Sequence, residues 1–170
     1  MNVPLRRLGK SDLQISPLGL GCWQFSKQTG LVGKYWPPLT DENTYKIVKA
    51  SIDGGINWFD TAEIYGRGKS EQGLANALKK NCVQPSNAII ATKWWPIGRR
   101  ASSIKSTIKK RLTNLGGYPI ALHQIHNPLG FSSVEKEMDA MADLVEDKKI
   151  KYIGVSNFSA SRMRRASEAL

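Results

Sequence analysis

Asn57-Trp58-Phe59-Asp60-Thr61-Ala62-Glu63-Ile64-Tyr65-Gly66 begins as a short apolar strand and delivers an acid and a phenol before a glycine. The arrangement returns at Ala91-Thr92-Lys93, where an amine closes an apolar run, and at Gln124-Ile125-His126-Asn127-Pro128, where an imidazole does. A fourth instance, Ile153-Gly154-Val155-Ser156-Asn157-Phe158, ends in a hydroxyl and an amide. Reactive side chains at the carboxyl ends of successive strands are how a strand-helix barrel builds its site.

Outward from these stretches the alternation is regular. Candidate strands lie at 56–60, 88–93, 120–125 and 151–155, with helical patterns at about 70–80, 101–115 and 132–148 and a last one starting near 159. The strands are almost continuously apolar, as expected when helices cover both faces of a parallel sheet. A barrel and an open doubly wound sheet both fit. Gly19-Leu20-Gly21 disfavours the second, because Trp23-Gln24 and a long loop follow it instead of the helix of a dinucleotide fingerprint.

Ahead of this region, Leu5 to Ile15 reads as a small hairpin turning at Gly9-Lys10-Ser11-Asp12, and Pro17 to Trp23 as the first barrel strand. Gln24 to Thr40, with Pro37-Pro38, reads as a loop. Thr40-Asp41-Glu42 offers a helix cap with first-turn acids, Tyr45, Ile47, Val48 and Ile52 an apolar face, and Gly54-Gly55 a stop.

The 170 residues are read as one domain, 1–170, with 41% hydrophobic and 23% charged residues, which fits a soluble globular chain. Lys and Arg number 25 against 14 acids, a net charge of +11 that favours anionic partners. The charge is spread over helix faces and ends with no recognition motif or aromatic platform, so no nucleic-acid partner is expected. Cys22 and Cys82 are too few and too far apart to suggest a metal, and a reducing cytoplasm is the expected compartment. Met1 to Lys10 lacks the apolar core of a leader, and no apolar run approaches the roughly 18 residues of a membrane span.

The residue types suggest proton transfer. A phenol of pKa about 10 donates poorly near neutrality unless a cation stabilises the phenolate. Lys93 is placed to be that cation, Asp60 to hold the ammonium charged and aimed, and His126 to hydrogen-bond a substrate oxygen or adjust the phenol. Ser156 and Asn157 suit a carboxamide such as that of nicotinamide. Each has a plainer reading. Asp60 to Glu63 is also an N-cap with its acid, Tyr65 a loop aromatic, His126 a turn cap, and Ser156-Asn157 a cap for the last helix. Trp94-Trp95 is either a pocket wall or buried packing. Lys93 is the hardest to explain away, because an unpaired ammonium at the end of an apolar strand is costly.

Taken together, Asn57 to Gly66, Lys69-Ser70-Glu71 with Gly73 to Leu78, Ala91-Thr92-Lys93, Gln124-Ile125-His126 and Gly154 to Phe158 resemble the aldo-keto reductases. The resemblance implies an α/β fold of the parallel (β/α)8 TIM-barrel type, NADPH as hydride donor, and reduction of an aldehyde or ketone. By position it implies Tyr65 as proton donor, Asp60 and Lys93 as its tuning pair, and His126 as the substrate-orienting group. Gly21, Cys22, Trp23 and Asp60 would lie beside the cofactor, and Ser156 and Asn157 would hold its nicotinamide.

Two departures stand out. Ala121, in Tyr118-Pro119-Ile120-Ala121-Leu122, occupies a place where relatives usually carry an acid. A full barrel also takes eight strands and about 250 residues, whereas here the pattern is truncated after its fifth strand and following helix. The family's ring-stacking aromatic and 2'-phosphate-binding groups belong to later elements, so much of the NADPH site is expected to be missing from this chain. The first and fifth strands are expected to be open edges that invite self-association. A non-catalytic binding or regulatory protein on the same scaffold is the alternative to an enzyme.

Overall fold

Strand order separates the two architectures that the alternation allows. The structure, a computed structural model, describes residues 4–170; of the segment read as lacking a leader, Met1 to Val3 lie outside them. β1 (Arg6–Arg7) and β2 (Gln14–Ile15) form an antiparallel pair in the register Arg6 to Ile15. β3 (Leu20–Gly21) is followed by a 3-10 turn at Trp23–Ser26, a four-residue helix α1 (Gly30–Gly33) and α2 (Asp41–Asp53). Then come β4 (Trp58–Asp60), α3 (Lys69–Lys80), β5 (Ile89–Trp94), α4 (Ser102–Leu115), β6 (Ile120–Ile125), α5 (Val134–Glu146), β7 (Ile150–Val155) and α6 (Ala160–Glu168). The five strands β3 to β7 are all parallel and lie side by side in chain order. A doubly wound sheet would reverse its order at a switch point. This one never does, which is the winding of a barrel, carried through five strands with β3 and β7 left as edges.

Local chemistry sets the element ends. Thr40 Oγ1 accepts from the Asn43 amide (3.1 Å) with Asp41 and Glu42 in the first turn, and Gly54 closes α2 through its own amide to Ala50 O (3.0 Å). Ser133 and Ser159 cap α5 and α6 in the same way. The segment 24–40, expected to be all loop, contains the 3-10 turn and α1, and the first barrel strand is shorter than Pro17 to Trp23. The core lies between the sheet and its helices, with Leu74, Leu78, Ile90, Ile104, Leu115, Met138, Met141 and Leu144 fully buried. Gly73, Ala75 and Ala77 let α3 lie close to its neighbours.

Two details bear on the site. The β5 to β6 register slips between Ile90 and Ala91, so Ala121 is the extra residue of a bulge and is buried. The hairpin lies beneath the sheet: Asn57 bonds Gln14 O and the Ser16 amide, while Asp12 accepts from Tyr152 Oη (2.9 Å) and Lys151 Nζ (2.8 Å) of β7. No helix among the described residues is long and apolar enough to cross a membrane.

Candidate active site

Because every strand of the main sheet runs the same way, the strand-end residues fall at one end of it. The ladder continues past the strands. Cys22 N–H donates to Asp60 O (2.8 Å), Glu63 N–H to Lys93 O (3.1 Å), His126 N–H to Trp94 O (3.0 Å) and Ser156 N–H to Ile125 O (2.9 Å). Cys22, Asp60, Lys93, His126 and Ser156 are thereby held by backbone bonds between neighbouring strands, whereas the Tyr65 amide bonds Ala62 O (3.1 Å) within its own turn. Lys93, 6% exposed, donates to the carboxylate of Asp60 and to Thr61 O (3.0 Å). Asp60 therefore ends β4 and pairs with the ammonium; it does not cap a helix.

Tyr65 opens a tight turn, Tyr65–Gly68, in which Gly66 (φ 64°) and Arg67 (φ 53°) take left-handed backbone. A side chain at Gly66 would also run into the backbone of Ser26, so only glycine lets the Tyr65 turn dock against the 3-10 turn after β3. Docking brings rings together. Trp23 stacks on Tyr65 (5.6 Å, 18°) on one side and on Tyr35 (5.2 Å, 13°) on the other. His126 meets the edge of Tyr65 (5.5 Å, 85°) and of Trp95 (5.2 Å, 87°). Lys93 Nζ lies 5.4 Å from the Tyr65 ring centre. Of the adjacent tryptophans, Trp94 is buried packing and Trp95 is the one that borders the site.

Protonation follows from this packing. Burial, followed by the charge of Asp60, pushes the Tyr65 phenol up to about 12, so at neutral pH it keeps its proton. Burial, then the Lys93 charge, lowers His126 to about 4 and leaves a neutral imidazole, whose Nδ1 is buried with no partner among the described residues. The Cys22 thiol is fully buried and raised by burial, an inert neighbour.

Asn157, at φ 59°, turns its amide nitrogen onto His126 O (2.8 Å) and Ser156 Oγ (3.1 Å), tying the end of β7 to the end of β6. The cap of α6 is Ser159, so Ser156 and Asn157 are not its cap. Gly21 is exposed at the end of β3, with nothing within 4 Å of where a Cβ would stand.

Sequence reasoning missed a buried charge network beneath the Tyr65 turn. Glu63 accepts from Arg99, from Arg111 (2.6 Å) and from the Trp95 amide (2.5 Å). Arg111 Nε faces Glu71 (3.1 Å), which also accepts from Thr92 Oγ1 (2.7 Å) and Asn114 Nδ2 (2.8 Å). The signal was present as charges on apolar stripes: Glu71 shares a face with Leu74, Ala75 and Leu78, and Arg111 with Ile104, Ile108 and Leu115. A charge at such a position must find a buried partner.

Compared with known proteins, residues 17–170 match the model of the aldo/keto reductase family. An uncharacterized oxidoreductase of Mycobacterium tuberculosis is 36% identical over 158 residues, 92% of this chain and 47% of that protein. The structure of a glycerol dehydrogenase from Gluconobacter oxydans superposes with a TM-score of 0.81 at 30% identity, covering 100% of this chain and 53% of that one. An aldo-keto reductase from Klebsiella pneumoniae, solved in complex with NADPH, shares the fold at 22% identity and a TM-score of 0.79, covering 99% of this chain and 56% of that one. The chain thus spans about half the length of the relatives it matches.

Proposed function

Because the chain belongs to the aldo/keto reductase family, we propose that its strand-end cluster serves the NADPH-dependent reduction of an aldehyde or ketone to an alcohol. The observation that carries this is the convergence of Tyr65, Lys93, Asp60 and His126, from three adjacent strands, with the phenol protonated and the imidazole neutral. A carbonyl oxygen held by neutral His126 receives the Tyr65 proton. Lys93, its charge fixed by Asp60, then faces the phenolate and lowers the cost of forming it. The proton is restored from solvent.

The residues present fit the nicotinamide end of the cofactor. Asn157 Nδ2 is committed to His126 O and Ser156 Oγ, which leaves Asn157 Oδ1 as an acceptor for a carboxamide, and Gly21 at the end of β3 and Trp23 in the turn after it would flank the ring. When bound, the reduced cofactor supplies the hydride.

Cofactor fluorescence with the purified chain tests the proposal, beside NADPH oxidation by simple aldehydes and ketones. Saturable NADPH binding with turnover that Tyr65→Phe removes supports a reductase. Absence of binding overturns it and favours the alternative, a binding or regulatory role on this scaffold.

A further inference from the structure

Glu63 stands between Asp60 and Tyr65 in the chain and bonds the end of β5 at two points. Its amide donates to Lys93 O (3.1 Å), and its Oε1 accepts from the Trp95 amide (2.5 Å). The second bond stands in for a strand. Trp95 lies just past β5, where the chain of β4 has already left the sheet for the Tyr65 turn, so among the described residues its N–H meets a side chain instead of a strand carbonyl. A carboxylate leading into that turn takes the carbonyl's place. The other half of the Trp95 peptide is held by the same pair, because Arg99, bonded to Glu63 Oε1, also donates to Trp95 O (3.1 Å).

These bonds fix the distances that proton transfer uses. Lys93, whose ammonium lies 5.4 Å from the Tyr65 ring centre, and Trp95, whose ring meets the edge of His126 (5.2 Å, 87°), stand on either side of Trp94. Glu63 grips the main chain of both. Its carboxylate, with Arg111 on Oε2 (2.6 Å), bonds none of the Tyr65, Lys93 and His126 side chains among the described residues, so any effect on the reaction passes through the groups it holds.

We propose that Glu63 is a positioning residue of the reduction: by holding the Lys93 and Trp95 peptides to the Tyr65 turn, it sets how the phenol meets Lys93 and His126 during proton transfer. That role rests on the reductase reading; the hold of Glu63 on Trp95 does not.

Two variants separate reach from charge. Glu63→Asp keeps the charge beside Arg99 and Arg111 but draws it back from the Trp95 amide by a methylene. Glu63→Gln keeps the reach: its oxygen belongs on the Trp95 side, where two donors meet it, and its amide nitrogen faces Arg111, which retains Glu71. If Glu63 served charge balance alone, Glu63→Asp would be the milder change in both Tm and kcat. Positioning predicts opposite orders. Glu63→Asp should melt above Glu63→Gln, yet its kcat with glyceraldehyde and NADPH should be the lower of the two, about tenfold or more below the parent, with NADPH affinity unchanged in both. A kcat that follows the order of Tm, or that stays at the parent value in Glu63→Asp, overturns the role. Amide hydrogen exchange of the parent adds a test that needs no variant and no turnover: Trp95 N–H should be protected, and exchange as fast as that of Ile97 and Gly98 in the loop beyond it overturns the placement. A parent that oxidises no NADPH refutes the reductase reading and the role in the reaction together, and the Trp95 amide then decides the placement.

Discussion

Lys93 reaches from β5 across the ladder to donate to the carboxylate of Asp60, the last residue of β4, with Thr61 O (3.0 Å) as its second acceptor. The lysine side chain is 7% exposed and the aspartate 30%, so neither charge is well served by water alone. Removing one should cost more than removing both. Lys93→Met is expected to lose about 2 kcal/mol of stability, discounted from the fully buried case for the partial exposure of Asp60. Lys93→Met/Asp60→Asn should recover most of that in urea unfolding while remaining without turnover; strictly additive losses would show that the two charges are not coupled.

Tyr65→Phe keeps the stack with Trp23 and the edge contact with His126, because both use the ring. Stability should therefore change little, and NADPH affinity should hold. Carbonyl reduction is expected to fall by roughly 10²–10⁴-fold, the usual worth of a positioned acid. A variant that turned over at the parent rate would remove Tyr65 from the chemistry.

Arg111 lies between two carboxylates that are almost wholly buried, Glu63 at 9% and Glu71 at 0% exposure, and with Arg99 on Glu63 balances their charge. Arg111→Met should cost about 3–5 kcal/mol. Burial already raises the Glu71 carboxyl, and loss of the guanidinium removes the main force opposing it. The variant should consequently regain stability on acidification, and Arg111→Met/Glu71→Gln should be more stable at neutral pH than Arg111→Met. Thermal melts at pH 5 and pH 8 measure both effects.

Glu137, 2% exposed on α5, has Oε1 buried without a partner among the described residues, and burial pushes its carboxyl up to about 7. An acid whose folded pKa is raised stabilises most below its unfolded value, near 4.5, and that stability is lost as pH rises through 7. Glu137→Gln should match the parent near pH 4 and exceed it by about 1–2 kcal/mol at pH 8. A difference in Tm that does not vary with pH would contradict this.

The edges β3 and β7 offer unpaired backbone, and β7 adds a groove of about 200 Å³ with α6, lined by Met138, Ile153, Val155, Met163 and Leu170. Met163 is 55% exposed and Leu170 64%, an apolar margin beside an open strand. We expect the purified chain to self-associate through this face, and Met163→Lys/Leu170→Lys to reduce the associated fraction in light scattering. A monodisperse monomer at high concentration would rule the association out.

Much of the fold was legible because it rests on local periodicity. The β6 bounds expected from the apolar run 120–125 are those found, and the other strands and helices of the alternation fall within about two residues of their expected places. The glycines and prolines of 24–40 hid a helix, since α1 is a single turn stabilised by docking rather than by its own sequence. Barrel winding was legible only through the missing dinucleotide loop after Gly21 and the resemblance, not through the strands themselves, because apolar strands carry no label for which neighbour they pair with.

The sequence by itself determined the strand-helix alternation and which chemical groups stand at the strand ends, since both follow from the order of residues along one chain. Tertiary structure decided which of those groups meet and in what state. Asp60 faces Lys93 only because β4 and β5 pair, Tyr65 stacks on Trp23 only because Gly66 admits the Ser26 backbone, and Glu63 became the hub of a buried network only once α4 brought Arg111 beneath it. Protonation belongs to that second set, because desolvation and charge separation depend on distances between residues far apart in the chain.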